Sequence, residues 1–199
     1  NTALRYLPTG EAYLEDMLTT LDTAQRFIFL EYFIMAEGEI WDRLSDILCR
    51  KSRQGVEVKL IFDDFGSMMR MPNEKIDALQ DAGVEVRVFN PVHHYVNRLY
   101  FNYRDHRKIT CVDGDIAYTG GANIADEYAN LIERFGYWKD CGLRLEGEGA
   151  WGLTREFLQM WQRMDGQLYH EYDYYRPLHH PLEQGFCQTV VDGPDDNPN

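Results

Sequence analysis

His106 and Lys108 are the residues of this sequence whose types and spacing most clearly offer chemistry. They stand in the run NYRDHRKITCVDGDIAYTGGANIADEY, in which Asp113 follows Lys108 after four intervening residues. An imidazole can attack phosphorus, and an ammonium group can stabilise phosphoryl oxygens as negative charge builds up on them. The pattern, which occurs once in the chain, therefore indicates phosphoryl chemistry that requires no metal ion and no organic cofactor.

Strand geometry favours His106 and Lys108 as partners and sets Asp113 apart from them. Side chains two residues apart on a strand share a face, whereas Asp113 lies an odd number of residues from both. Asp113 and Gly114 also form a strong signal for a two-residue hairpin turn. From the residues alone, Asp113 is therefore expected in the turn, with a structural role.

A two-residue loop at this turn fixes which side chains face each other across the predicted hairpin. Lys108 would lie opposite Thr119 and His106 opposite Gly121, and directly opposed residues share a face. A glycine beside the histidine leaves room for a ligand, and Asn123 would bring an amide to the same pocket. This register predicts a phosphate site formed by His106, Lys108 and Asn123.

With its surroundings, the run resembles the phospholipase D superfamily, whose two short motifs are matched here. The matching residues are His106, Lys108 and Asp113, followed by Gly120, Gly121 and Asn123. The stretches LIFDDFGS, NYRDHRKI, YTGGANIADEY, GYWKDCGLRLEGEGAW and FLQMW are similar to bacterial cardiolipin synthases. The similarity runs from about Thr9 to the end of the chain.

The resemblance implies a catalytic role for several residues. His106 would be the nucleophile or the general acid of a histidine pair, Lys108 and Asn123 would hold the phosphate, and Asp113 completes the family motif. Asp140 occupies the position of an acidic residue that supports the motif histidine through its second ring nitrogen. Family members use a covalent phosphohistidine and a two-step transfer.

Three further residues are predicted to contact substrate. Gly121 would leave space beside the histidine, and Arg104 closes an aromatic and basic stretch, 95–104, that fits either a lipid interface or packing against a second domain. Glu31 interrupts a buried strand and would lie at the floor of the site or be a satisfied buried carboxylate. Asp63 is expected to cap a helix rather than to bind substrate.

Only one motif is present, whereas the chemistry needs two histidines. Cardiolipin synthases carry one motif in each of two halves, so the chain resembles the N-terminal catalytic half of a longer protein. The leading hypothesis is cardiolipin synthesis from two phosphatidylglycerol molecules, with release of glycerol. The alternatives are a phospholipase D-type phosphodiesterase acting as a homodimer, and a non-catalytic half that binds phosphate or lipid.

Composition limits the partners. The net charge of −13 argues against a nucleic-acid surface, although 98–108 contains four basic residues and one acidic residue. The expected partners are an anionic phospholipid, a membrane surface, and either a second motif-bearing half or a second copy. The full-length protein is expected at the cell membrane through segments outside this chain, with the present segment soluble on the cytoplasmic face. The four widely spaced cysteines are expected to be reduced.

Alternating strand and helix patterns must position these residues. The predicted helices cover 9–23, 40–53, 72–81 and 150–164, and the predicted strands cover 26–34, 56–62, 84–89, 106–112, 115–119 and 138–145. The pattern predicts an α/β fold, a mostly parallel mixed sheet with helices on both faces, resembling one phospholipase D-like half. Residues 1–165 are predicted to form the catalytic domain, and 166–199 an irregular linker followed by the first strand of a second half, at 188–192.

Overall fold

Strands separated by helices in the first half of the chain join a hairpin-rich second half in one mixed sheet. A computed structural model describes residues 1–92, 103–183 and 185–191. The strands of these described residues are β1 (Thr2–Leu7), β2 (Phe27–Tyr32), β3 (Glu57–Asp63), β4 (Glu85–Phe89), β5 (Lys108–Val112), β6 (Ile116–Gly120) and β7 (Gly142–Gly147). The α-helices are α1 (Gly10–Leu21), α2 (Glu39–Arg53), α3 (Asp64–Ser67), α4 (Asn73–Asp81) and α5 (Glu148–Arg163), with 3-10 helices at Asp126–Ala129 and Tyr172–Tyr175.

The order of the described strands in the sheet is β1-β7-β6-β5-β2-β3-β4. The predicted mixed α/β sheet is confirmed, but the expectation that it would be mostly parallel is wrong. Only β2-β3 and β3-β4 pair in parallel among these strands, whereas the other four pairings are antiparallel. Helical crossovers that allow parallel pairing connect β2 to β3 and β3 to β4, while β5 and β6 are joined by a tight hairpin.

Helices cover both faces of the sheet, as predicted. On one face, α1, α2 and α4 bury Met17, Trp41 and Leu79 against alternate residues of the strands. On the other face, α5 buries Phe157 and Trp161, with Phe157 stacked on Phe29 of β2 at 4.7 Å between ring centres. This double covering explains why every residue of β2 is buried.

The sequence pattern located most elements to within a few residues. Helix α1 begins after Thr9, whose hydroxyl accepts a hydrogen bond from Ala12 N at 3.2 Å, and α5 begins at Glu148, two residues before the predicted start. β7 begins at Gly142 rather than at 138. β1 was not predicted, because its exposed Leu4 and Tyr6 do not alternate with buried residues.

The chain after α5 packs against the same sheet. Tyr175 is fully buried and contacts Phe27 at 5.2 Å between ring centres. Asp115 accepts hydrogen bonds from the backbone nitrogens of Leu178 at 2.6 Å and His179 at 2.7 Å. The strand predicted at 188–192 is absent from 188–191, which lie beside no partner strand, and residue 192 lies outside the described residues.

Candidate active site

His106 and Lys108 meet where the chain enters β5 at the edge of the helix-covered sheet. Lys108 Nζ lies 3.0 Å from His106 Nδ1 and donates a hydrogen bond to the His106 carbonyl at 2.6 Å. Lys108 also pairs with Tyr32 of the central strand β2, so its position is set by the sheet. The structure thus brings the two residues together, although His106 itself precedes the strand.

The register of the hairpin is one residue away from the prediction. The Asp113-Gly114 turn forms, with both residues at positive φ and with Asp115 N donating to Val112 O at 3.1 Å. Asp115 is then a third loop residue outside the ladder, because Val112 pairs with Ile116. Thr119 consequently faces Ile109, not Lys108, so the predicted register is wrong.

Asp113 has the structural role expected from its position. Its carboxylate accepts three backbone hydrogen bonds, from Gln25 N at 2.8 Å, Arg26 N at 2.7 Å and Phe27 N at 2.9 Å. It lies at the far end of β5 from Lys108, about 16 Å away at the usual rise of an extended strand. Asp113 therefore anchors the start of β2 and does not touch His106, contrary to the catalytic role that the family resemblance implied.

Asn123 is buried where the chain that follows β6 meets the chain that follows β2. Its Oδ1 accepts a hydrogen bond from Ile34 N at 2.9 Å, and its Nδ2 donates to the Tyr128 hydroxyl at 2.9 Å. These contacts fix the orientation of the amide and, among the described residues, use one of its two Nδ2 hydrogens. The contact with Tyr128 was not predicted from the sequence, although Tyr128 lies in the same run as Asn123, ANIADEY.

Gly121 and Asp140 lie against each other. A Cβ atom on Gly121 would overlap Asp140 Oδ1, so glycine is needed for this close approach. Asp140 Oδ1 accepts its hydrogen bond from Cys141 N at 2.8 Å, and no hydrogen bond among the described residues joins Asp140 to His106. The His106 ring nitrogen Nδ1 contacts Lys108 instead.

Burial and neighbouring charges shift the ionisation of the central pair. Burial lowers the pKa of Lys108 to about 8, against the opposing charges of Asp105 and Asp140. Burial, followed by the charge of Lys108, lowers the pKa of His106, while Asp105 and Asp63 oppose that change. The lowered pKa of His106 favours a neutral imidazole at neutral pH, the form that can act as a nucleophile or base.

Phe33 is a site residue that the sequence analysis missed. Its ring centre lies 4.7 Å from that of His106, and Lys108 Nζ lies 5.6 Å from the Phe33 ring centre. The backbone at this point is close to α3, because a Cβ atom on Gly66 would overlap the Phe33 carbonyl. The only signal in the sequence was the aromatic pair that follows Glu31, which is typical of any buried strand.

Glu31 does not belong to the same pocket. Tyr32 pairs with Lys108 across β2 and β5, and successive strand residues point to opposite faces. Glu31 therefore lies on the α5 face, where its Oε1 is 3.2 Å from Arg107 Nε. This corrects the expectation that Glu31 contacts substrate together with His106. The alternative of a satisfied buried carboxylate is correct in the burial alone, because neither oxygen accepts a hydrogen bond from a described residue.

Arg104 is engaged by protein groups. Its Nη1 lies 3.2 Å from Asp63 Oδ1 and donates to the Asn90 carbonyl at 3.0 Å. Asp63 also caps α3 as predicted, because its Oδ1 accepts hydrogen bonds from Phe65 N at 2.9 Å and Gly66 N at 3.3 Å. Substrate contact by Arg104 stays a prediction, since residues 95–102 of the same stretch lie outside the described residues.

The described residues contain neither a metal-binding cluster nor a membrane-spanning helix. In the part of the chain that the structure describes, no three His, Cys, Asp or Glu side chains gather in a way that would hold a metal ion. His93 and His94 lie outside that part. Within the same described residues, no helix has the length and apolar character needed to span a bilayer.

Comparison with protein families gives a match over residues 17–135 to the family described as "Cardiolipin synthase, PLD-like domain". The chain belongs to this family. The match includes His106, Lys108, Asp113 and Asn123, and it confirms the resemblance drawn from the sequence motifs. The family assignment rests on more than half of the chain.

Curated relatives named cardiolipin synthase align with almost the whole chain. The protein from Oceanobacillus iheyensis is 36% identical over 98% of this chain and 40% of its own length. The protein from Geobacillus kaustophilus is 38% identical over 95% of this chain and 38% of its own length. An uncharacterised protein from Streptococcus mutans is 42% identical over 97% of this chain. The chain thus spans about two fifths of the length of these relatives.

Solved structures confirm the phospholipase D-like fold. The phospholipase D family member Nuc from Salmonella typhimurium has a TM-score of 0.53 and 19% identity, covering 86% of this chain and 99% of that protein. Phosphatidylserine synthase from Haemophilus influenzae has a TM-score of 0.61 and 15% identity, covering 87% of this chain and 41% of that protein. At these identities the similarity concerns the fold alone.

Proposed function

We propose that this chain supplies one half of the active site of a phosphatidyl-transferring cardiolipin synthase. The observation that carries the proposal is the 3.0 Å contact between His106 Nδ1 and Lys108 Nζ at the sheet edge. It occurs in a chain that is 36–38% identical, over at least 95% of its length, to proteins named cardiolipin synthase. A neutral imidazole beside an ammonium group is suited to attack a phosphodiester.

In the first step, a ring nitrogen of the catalytic histidine bonds to the phosphorus of one phosphatidylglycerol. The bond from phosphorus to the glycerol headgroup breaks, and the glycerol oxygen takes a proton from a general acid. In the second step, a headgroup hydroxyl of another phosphatidylglycerol attacks the phosphorus and gives up its proton to that same acid, now a base. The phosphorus–nitrogen bond breaks, and cardiolipin and the free imidazole are formed.

The residues of this half have distinct parts in the proposal. His106 is either the nucleophile or the general acid, and Lys108 with the second Nδ2 hydrogen of Asn123 binds the phosphoryl oxygens. One well-aimed donor of this kind stabilises a transition state by roughly 2.7–4 kcal/mol. A bound phosphate would draw Lys108 away from His106 Nδ1, and we propose Asp140 as the group that then supports that nitrogen.

Because this chain has one motif histidine, the second histidine of the proposed pair must come from another half or another copy. We propose that the catalytic domain of this unit, predicted at 1–165, faces a second motif-bearing half, encoded beyond 166–199 or supplied by a second copy. A membrane surface carrying anionic phospholipid would present the substrate. The protein would accordingly work at the cell membrane.

The test is product analysis with the full-length protein. It is mixed with vesicles of phosphatidylglycerol, and lipids and released glycerol are measured by mass spectrometry. We expect cardiolipin and glycerol in equal amounts. Phosphatidic acid in place of cardiolipin would instead support the alternative of a hydrolytic phosphodiesterase, and binding without any product would support the non-catalytic alternative.

A further inference from the structure

Directly beneath the candidate site, a group of buried charges lies on the α5 face of the sheet. Arg107 Nε is 3.2 Å from Glu31 Oε1 and 3.5 Å from Asp105 Oδ1. The side chains of Glu31 and Asp105 are 0% and 1% exposed. Two buried carboxyl groups therefore share one guanidinium group, whose side chain is 24% exposed.

The hydrogen bonds of this group are incomplete as long as both acids are ionised. Neither Glu31 oxygen accepts a hydrogen bond from a described residue, and neither does Asp105 Oδ2. The neighbouring Asp63 does not alter the balance, because Arg104 pairs with it. Two buried carboxylates against one guanidinium leave an uncompensated negative charge, which is costly unless one of them holds a proton.

We propose that Glu31 is a positioning residue for His106, acting as a protonated carboxylic acid that bridges Arg107 and Asp105. The inference rests on the proposed function of His106. The O–H of Glu31 would donate a hydrogen bond to an oxygen of Asp105 and keep its proton, while Asp105 pairs with Arg107. Burial, and then the charge of Asp105, raises the pKa of Glu31 well above its usual range.

The charged and titratable groups facing Glu31 are consistent with this state. Asp105 and Arg107 face it from the chain that leads into β5, and Glu156 faces it from α5. The thiol of Cys111 on β5 is also close enough that, after burial, a charge on Glu31 contributes to its raised pKa. Of these groups only Arg107 favours an ionised Glu31, and Arg107 is shared with Asp105.

His106 stands between the two residues that Glu31 holds. Asp105 N donates to Asp63 Oδ2 at 3.0 Å, and Arg107 N donates to Asp105 Oδ1 at 3.1 Å. Because Asp105 and Arg107 flank His106 in the chain, fixing their side chains beside Glu31 restrains the backbone that carries the imidazole, and with it the orientation of the ring toward Lys108. Glu31 would thus set the orientation of the imidazole without touching substrate.

The first test compares the unfolding of wild type and Glu31→Gln by chemical denaturation from pH 5 to pH 8. If Glu31 is protonated in the folded state and ionised in the unfolded state, the folding equilibrium constant of wild type falls relative to that of E31Q as the pH rises. The fall is up to about tenfold per pH unit. The exposed Glu74→Gln is the matched control and should show no such trend. If the difference in unfolding free energy between wild type and E31Q is the same at every pH, the proposal is wrong.

The second test needs no variant. Carbon-13 NMR of the glutamate carboxyl groups in wild type should show one resonance that stays at its protonated position at pH 7. Titration of every glutamate carboxyl group below pH 6 would contradict a protonated Glu31. This measurement also remains decisive if a Glu31 variant does not fold.

The positioning role has its own spectroscopic test. The nitrogen-15 shifts of the His106 ring should be unchanged in E31Q, which keeps a neutral hydrogen-bonding group, and altered in Glu31→Leu. Identical shifts in all three proteins, or equal changes in both variants, would refute positioning by a protonated Glu31. Neither readout uses turnover, so failure of this inference is distinct from failure of the proposed phosphatidyl transfer.

Discussion

At the scale of single residues, the chemistry of the site depends on two coupled groups. Lys108 sits close enough to His106 to lower the pKa of the imidazole, while burial lowers the pKa of Lys108 itself to about 8. Near neutral pH the pair therefore combines a neutral base with a still largely charged ammonium group. This combination suits attack on a phosphodiester, which needs a free lone pair and a positive charge in one place.

Replacing Lys108 by Met should raise the pKa of His106, because it removes the positive charge that disfavours the imidazolium. The pKa should not return fully to its ordinary range, since burial is the larger cause of the shift and persists. Proton NMR titration of the His106 ring measures this. A pKa that falls in the Lys108→Met protein would contradict the contact.

Replacing Asp140 by Asn should lower the pKa of Lys108 below about 8, because the negative charge of Asp140 raises it. Gly121→Ala should act in the same direction, since the new methyl group displaces the Asp140 carboxylate. NMR titration of carbon-13-labelled lysine is the measurement, with the exposed Glu133→Gln as control. A Lys108 pKa that rises in either variant would show that Asp140 is not the charge beside it.

Motif spacing led to the prediction that His106, Lys108 and Asn123 form a group, and the structure brings His106 and Lys108 into contact. It did not indicate Phe33, since an aromatic residue at a strand end has many structural uses. The sequence also did not show that Glu31 lies on the face of the sheet opposite to Lys108. Its face depends on where β2 pairs with β5, a contact between residues nearly eighty positions apart in sequence.

At the scale of elements, the β5–β6 hairpin shows how one extra residue alters a prediction. The turn residues were identified correctly, but Asp115 is left out of the ladder because its groups bind other segments. Its carboxylate accepts from the chain after Tyr175, and its carbonyl accepts from Gly147 N at 2.9 Å. A turn signal read from neighbouring residues does not contain such distant partners. The observed register therefore differs by one residue from the predicted one.

Replacing Asp113 by Ala should destabilise the fold while leaving phosphate binding intact. Three backbone N–H groups at 25–27 lose a charged acceptor, and a hydrogen bond to a charged group is worth about 1.5–3 kcal/mol. Urea unfolding measures the stability, and phosphorus-31 NMR measures phosphate binding. Asp77→Ala, on the exposed side of α4, is the control. Lost binding with unchanged stability would instead give Asp113 a part in the site.

At the scale of the whole molecule, the α/β fold with helices on both faces could be predicted because helical and strand periodicities alternate clearly. The proportion of parallel pairs could not, since it depends on the connections after residue 108 and on β1, whose partner β7 is distant in sequence. Family membership followed from short motifs and is confirmed by the match over 17–135. The division into two halves remains a proposal.

A single unit has one motif histidine, so it should bind phosphate without appreciable turnover as a monomer. When one histidine ring bonds to phosphorus, a general acid from a second histidine must protonate the departing glycerol oxygen. Transfer activity of the isolated chain, measured together with its mass by light scattering, tests this. Activity should appear only when a second copy or the remaining sequence is present, and robust turnover by a proven monomer would contradict it.

The central claim is that His106 carries out chemistry at phosphorus. The most direct measurement is cardiolipin formation by the full-length protein with His106→Asn, next to His180→Asn in the segment after α5 as control. Loss of a positioned base or nucleophile should lower the rate at least about 100-fold, with the unfolding midpoint unchanged. A His106→Asn enzyme that retains activity within about threefold of the control would refute the assignment.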